Sequence, residues 1–105
     1  MARKRDIVGC VLNAHGLGES LAYAMDCAIE GDARCVTSNL HQAFVYLMEF
    51  KDSCDCDVTK VWNLLREAYD SAREGELEGV EDKIFSADIE LHHIIINKLG
   101  IAKEQ

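Results

Sequence analysis

Along the chain, apolar residues return every three or four positions in four separate stretches, the spacing that keeps them on one face of an α-helix. In the first stretch, residues 6–30, Ile7, Val11, Ala14, Leu21, Met25, Ala28 and Ile29 share a face. Their phase survives His15-Gly16-Leu17-Gly18, so the pattern fits one long helix kinked at the two glycines as well as two short ones, since each glycine costs about 1 kcal/mol against Ala. Gly31-Asp32 reads as a tight joint. The second stretch, residues 33–51, carries Val36, Leu40, Ala43, Phe44, Leu47 and Phe50 on one stripe, with Val45 alone among the polar residues opposite. Asp52–Asp57, DSCDCD, reads as a polar loop, and Asp57 or Thr59 can cap the helix that follows by accepting from its free N–H groups. Residues 58–74 then align Val58, Val61, Trp62, Leu65, Ala68, Tyr69 and Ala72, and Gly75 ends them. An acidic connector, EGELEGVED, leads into a fourth helix over residues 80–99, with Gly100 as its stop.

Short joints between helices make sequential helices antiparallel neighbours. The predicted architecture is therefore all-α, an up-down-up-down four-helix bundle. Residues 1–105 form one domain, with a basic tip at 1–5 and a frayed tail at 101–105. A chain of this length supports a single core.

The fourth helix has an unusually wide apolar arc. On a helical wheel it runs from Leu91 through Ile84, Ile95, Leu99, Phe85 and Ile96 to Ile89. Asp88 and His92 fall in the middle of that arc, while Ser86, Glu90, His93 and Asn97 fall opposite. Glu90 and His93 have the Glu-x-x-His spacing of di-iron bundles, but those need two such motifs and two further Glu facing inward. A solvated face is the reading for Glu90 and His93. Asp88 and His92 are one turn apart, so their side chains can meet at the apolar face. Three roles fit them: an interface with a partner or second copy, an internal pair that fixes register, or a metal or acid–base site. His15 and His41, at the margins of the first and second apolar stripes, are the two residues that could extend such a site.

Composition narrows the picture. The chain has no Pro, which suits long helices with short joints. Its net charge is −8, and three of its eleven basic residues are Arg3, Lys4 and Arg5. An acidic body repels phosphate, so a nucleic-acid partner is not expected. No stretch reaches the ~18 apolar residues of a membrane span. The basic start and apolar Ile7–Leu12 fall short of a signal peptide, so the expected setting is cytoplasmic. There, five Cys (10, 27, 35, 54 and 56) are expected as free thiols. A Cys27–Cys35 bridge across the Gly31 joint is allowed by spacing but disfavoured by compartment. Cys54 and Cys56, with Asp55 and Asp57, are weak metal candidates because no second Cys pair completes four ligands. Gly16-Leu17-Gly18 lacks the rest of a nucleotide loop, and no catalytic spacing stands out. No cofactor is expected, and the chain reads as a non-enzyme.

Two stretches carry a family likeness. Ala24–Leu47, AMDCAIEGDARCVTSNLHQAFVYL, and Asn63–Ile84, NLLREAYDSAREGELEGVEDKI, resemble the flagellin export chaperone, a cytoplasmic helical bundle. The resemblance implies a chaperone that cradles a protein segment, and it covers under half of the chain.

These readings converge on protein–protein interaction: a small acidic adaptor, chaperone or assembly factor that buries an apolar helix face, expected as a homodimer. Phe85, Ile89, His92, Ile96 and Leu99 are the expected contact residues, with Val45 and Leu64 as further exposed apolar positions. The alternatives are a flagellin-export-chaperone-like bundle, a metal- or ligand-binding bundle using Asp88 and His92, and an acidic decoy that occupies a nucleic-acid-binding groove.

Overall fold

The computed structural model describes residues 7–99, and the side chains of 7–97. The basic tip, the frayed tail and the Gly100 stop lie outside the described residues. Four helices account for the fold: α1 (Ile7–Ile29), α2 (Ala33–Cys54), α3 (Thr59–Arg73) and α4 (Val80–Leu99).

Their ends follow from local chemistry. Gly31 takes φ 77°, a conformation that costs a residue without a Cβ nothing, and the chain reverses there as Asp32 N–H donates to the Cys27 carbonyl. Asp32 then caps α2, its Oδ1 accepting from Cys35 N–H at 3.1 Å. Gly75, at φ 83°, closes α3 in the same way. Asp57 accepts from both the N–H and the hydroxyl of Thr59, at 3.0 and 2.6 Å. The Thr59 hydroxyl, then its N–H, holds the Asp57 carboxyl below its ordinary 3.8.

Each helix packs mainly against two others, in the ring order α1, α2, α3, α4 and back to α1. Two of these pairings are antiparallel. Cys10 joins Cys54 while Cys27 joins Cys35, so α1 and α2 run oppositely. Lys60 reaches Glu90 and Glu67 reaches Lys83, so α3 and α4 do too. The core is built from residues spaced four and three apart: Val36, Leu40, Ala43, Leu47 and Phe50 on α2, Val61, Leu65, Ala68 and Ala72 on α3, and Val80, Ile84, Ala87 and Leu91 on α4. That repeat is the seam of helices packing side by side.

Two expectations fail here. α1 is a single helix through both glycines, but it is turned by about a quarter revolution from the face read off its large apolar residues. Leu17, Leu21, Ala24, Cys10 and Cys27 are buried, whereas Ile7, Val11 and Ile29 are exposed. Gly16 lies under the ring of Tyr46, and a Cβ there would come within 2.4 Å of it. The close approach to α2 selects small residues, so size, not hydropathy alone, decides which face turns inward.

The second failed expectation is the free thiols. Cys10–Cys54 and Cys27–Cys35 are disulfides, with Cα–Cα separations of 4.9 and 5.5 Å, both inside the range such bridges span. Residues 52–54 continue α2 instead of opening a loop, and this buries Cys54 beside Cys10.

Candidate functional site

α4 carries two seams, not one. Val80, Ile84, Ala87 and Leu91 face the core. Offset from them by five positions, Phe85, Ile89, His92 and Ile96 repeat the same four-three-four spacing on the outside. There Phe85 is 53% exposed, Ile89 42% and Ile96 37%. The wide arc seen in the sequence is thus split lengthwise, half spent on the bundle and half left outward. Leu99, the fifth expected contact residue, belongs to the helix, but its side chain lies outside the described residues.

Asp88 and His92 sit on the boundary between the two seams. Asp88 is half-buried and His92 exposed, with His92 Nδ1 2.8 Å from the Asp88 carbonyl oxygen and 3.7 Å from its carboxylate. The imidazole is therefore held by its own helix. Next to it, α1 and α4 leave an open groove of about 350 Å³. Its lining includes Ala14, Gly18 and Ala22 from α1 and Asp88, Leu91, His92 and Ile95 from α4. Small residues on the α1 side keep this groove shallow, since none reaches across to fill it.

His15 and Glu19 reach the same groove, 3.5 Å from each other. So the structure brings His15 to Asp88 and His92, which spacing alone cannot show, and leaves His41 exposed on α2, away from them. Among the described residues, no three His, Cys, Asp or Glu side chains stand close enough together to hold a metal ion. Cys54 is removed as a metal candidate by its bond to Cys10, and Cys56 lies half-buried outside the two bridges. Glu90 also departs from expectation. It is half-buried toward α3, 3.6 Å from Lys60, so only His93 lies on a solvated face.

The further apolar positions divide. Val45 is exposed, beside Met48, which lines an apolar hollow with Val58 and Trp62 between α2 and α3. Leu64 is half-buried and packs against the core. Exposed Val8, Leu12 and Tyr23 on α1 were not singled out by periodicity, since each falls off the face that was scored. No described helix is long and apolar enough to cross a membrane.

These features define a class: a disulfide-braced four-helix bundle with one unfilled flank. Comparison with protein-family models, curated proteins and solved structures gives no match, so the likeness to the flagellin export chaperone rests on the two stretches that carry it.

Proposed function

We propose that the chain is a protein–protein interaction module whose contact surface is the outer seam of α4, with the α1–α4 groove beside it. The observation that carries this reading is the second heptad-like row, Phe85, Ile89, His92 and Ile96, left exposed on a helix whose first row is fully used by the core. An outward row with that spacing is what a partner helix packs against. A folded single chain gains nothing from keeping three large apolar side chains in water. Covering such a half-exposed side chain recovers on the order of 1 kcal/mol each. The acidic surface around the seam then selects among partners by charge.

The two disulfides favour an oxidising setting over the cytoplasm expected from the sequence. A second reading has one observation in its favour, the arrival of His15 and Glu19 beside Asp88 and His92. The four line one groove and are of the nitrogen and oxygen ligand types that zinc takes, although no three of them stand together. Titration calorimetry with zinc, repeated on His15→Ala, tests it.

The interaction reading is tested by placing a photo-cross-linking residue at Phe85 and, as control, at exposed Ser38 on the polar face of α2. Illumination in the cells that make the protein should give discrete adducts from position 85 and none from position 38. Equal, diffuse labelling from both positions would overturn the reading.

A further inference from the structure

Resting on that interaction reading, we propose that the outer seam of α4 and the groove beside it take a cationic amphipathic helix of a partner protein. Its apolar row would lie on Phe85, Ile89 and Ile96, and its Lys and Arg residues against the carboxylates that flank them. Charge among the described residues is divided by flank. α2 and α3 together carry four Asp and Glu against five Lys and Arg. α1 carries Glu19 and Asp26 with no Lys or Arg, and α4 through residue 97 carries Glu81, Asp82, Asp88 and Glu90 against Lys83 alone. Lys83 is turned to α3, 3.0 Å from Glu67, and Glu90 is turned to Lys60. The α1–α4 side is left with five carboxylates and, among the described residues, no Lys or Arg beside them.

Their positions set what they can meet. Glu19 and Asp88 line the groove. Asp26 lies two turns beyond Glu19 on the same face of α1, and Glu81 two turns before Asp88 on the same face of α4. Asp82, two turns before Ile89, begins the outer seam itself. From Phe85 to Ile96 that seam is about 17 Å long at 1.5 Å per residue, enough for three turns of a partner helix. The carboxylates thus border an exposed apolar row, the arrangement complementary to a helix with an apolar stripe and cationic margins. Ala14, Gly18 and Ala22 keep the α1 side of the groove low enough for such a helix to settle against it. A second copy of this chain would bring the same five carboxylates to the contact, and like charges brought together oppose docking.

The probes are two synthetic amphipathic helices that share one row of Leu, the first with Lys and the second with Glu at the polar positions. Their binding to the purified chain is followed by fluorescence anisotropy in about 0.1 M salt, where charges more than ~10 Å apart are largely screened. The Lys helix should bind, and the Glu helix should bind at least about tenfold more weakly. Variants shown by circular dichroism to keep their helix content then locate the contact. Glu19→Gln, Asp26→Asn and Glu81→Gln made together should weaken the Lys helix about tenfold. Glu49→Gln, Asp70→Asn and Glu74→Gln remove the same charge from the α2–α3 side and should change it less than about twofold. Phe85→Ser should weaken it about fivefold by removing apolar contact. Equal binding of the two helices, no binding of the Lys helix, equal losses from the two triple variants or no loss from Phe85→Ser would each overturn the proposal. Should position 85 still give discrete cross-links in cells after such a result, the cationic-helix assignment falls and the interaction reading stands. Equal labelling from positions 85 and 38 would overturn both.

Discussion

Where α1 meets α2, the structure is closed at both ends by disulfides, in the middle by Tyr46 lying over Gly16, and near one end by Asn13 donating to Ser53 at 3.1 Å. Where α1 meets α4, the same helix offers Ala14, Gly18 and Ala22 to an open groove with two histidines at its mouth. Both flanks use small residues. Against α2 they let two backbones approach until a ring fills the gap, and against α4 they leave a groove that none of the described residues fills. A small-residue row is thus a permit for close approach, and what approaches must be found elsewhere. On the α4 side, the groove adjoins the exposed seam that the proposed function assigns to a partner.

The comparison can be broken most forcefully at its covalent braces. Replacing both Cys10 and Cys54 by Ala opens a bridge spanning 44 residues and should cost about 4 kcal/mol by the chain-entropy model. The same change at Cys27 and Cys35, 8 residues apart, should cost about 2.5 kcal/mol. Denaturant titration of the two double variants measures the difference, and equal losses would contradict the assignment of the longer bridge as the main brace. Before reduction, intact-mass analysis should find the chain lighter by two hydrogens for each bridge.

Next in size is a contrast between the two rows of α4. Leu91→Ala, in the core row, should cost about 3 kcal/mol in unfolding free energy. Ile89→Ala, in the outer row, should leave the unfolding of the isolated chain within about 1 kcal/mol while weakening its assembly. Chemical denaturation at high dilution separates these, and similar losses at both positions would mean that the outer row is part of the core.

The two glycines of α1 sharpen the contrast further, because the same substitution should have opposite signs on its two sides. Gly16→Ala drives a methyl into the Tyr46 ring and should destabilise by about 1–3 kcal/mol. Gly18→Ala meets nothing within 4 Å and should stabilise by about 0.5–1 kcal/mol through helix propensity. Thermal melts of the pair suffice. The smallest effect lies outside either flank, at Asp57. Its carboxyl is held below 3.8 in the folded state, so its contribution is present above that value and lost as pH falls through the folded pKa. Asp57→Asn should therefore flatten the acid limb of the stability–pH curve slightly and change nothing near neutrality.

What the sequence could show depended on whether the signal was local. Helix ends at Gly31, Asp32 and Gly75 came from residues whose conformational or capping chemistry acts within one turn, and the structure places α4 over the span expected from periodicity alone. The split arc of α4 was visible as an arc too wide for one seam, with Asp88 and His92 inside it. The face of α1 was misread because Gly16, Ser20 and Cys27 fall outside the stripe of large apolar residues, yet all three are buried. Neither the Cys10–Cys54 bridge nor the meeting of His15 with His92 could be read. Both depend on how the helices lie against one another, and the spacing along one strand of sequence carries no record of that.

The most direct measurement is hydroxyl-radical footprinting of the native assembly, comparing Phe85 with Tyr23, two aromatic residues exposed to similar degrees in the single chain, at 53% and 58%. Each rate is referred to the unfolded protein to remove intrinsic reactivity. If the outer seam of α4 is the contact face, Phe85 should be protected nearly to the level of half-buried Phe44 while Tyr23 stays reactive. Phe85 labelled as fully as Tyr23 would contradict the account, because the seam would then stand in water in the working molecule.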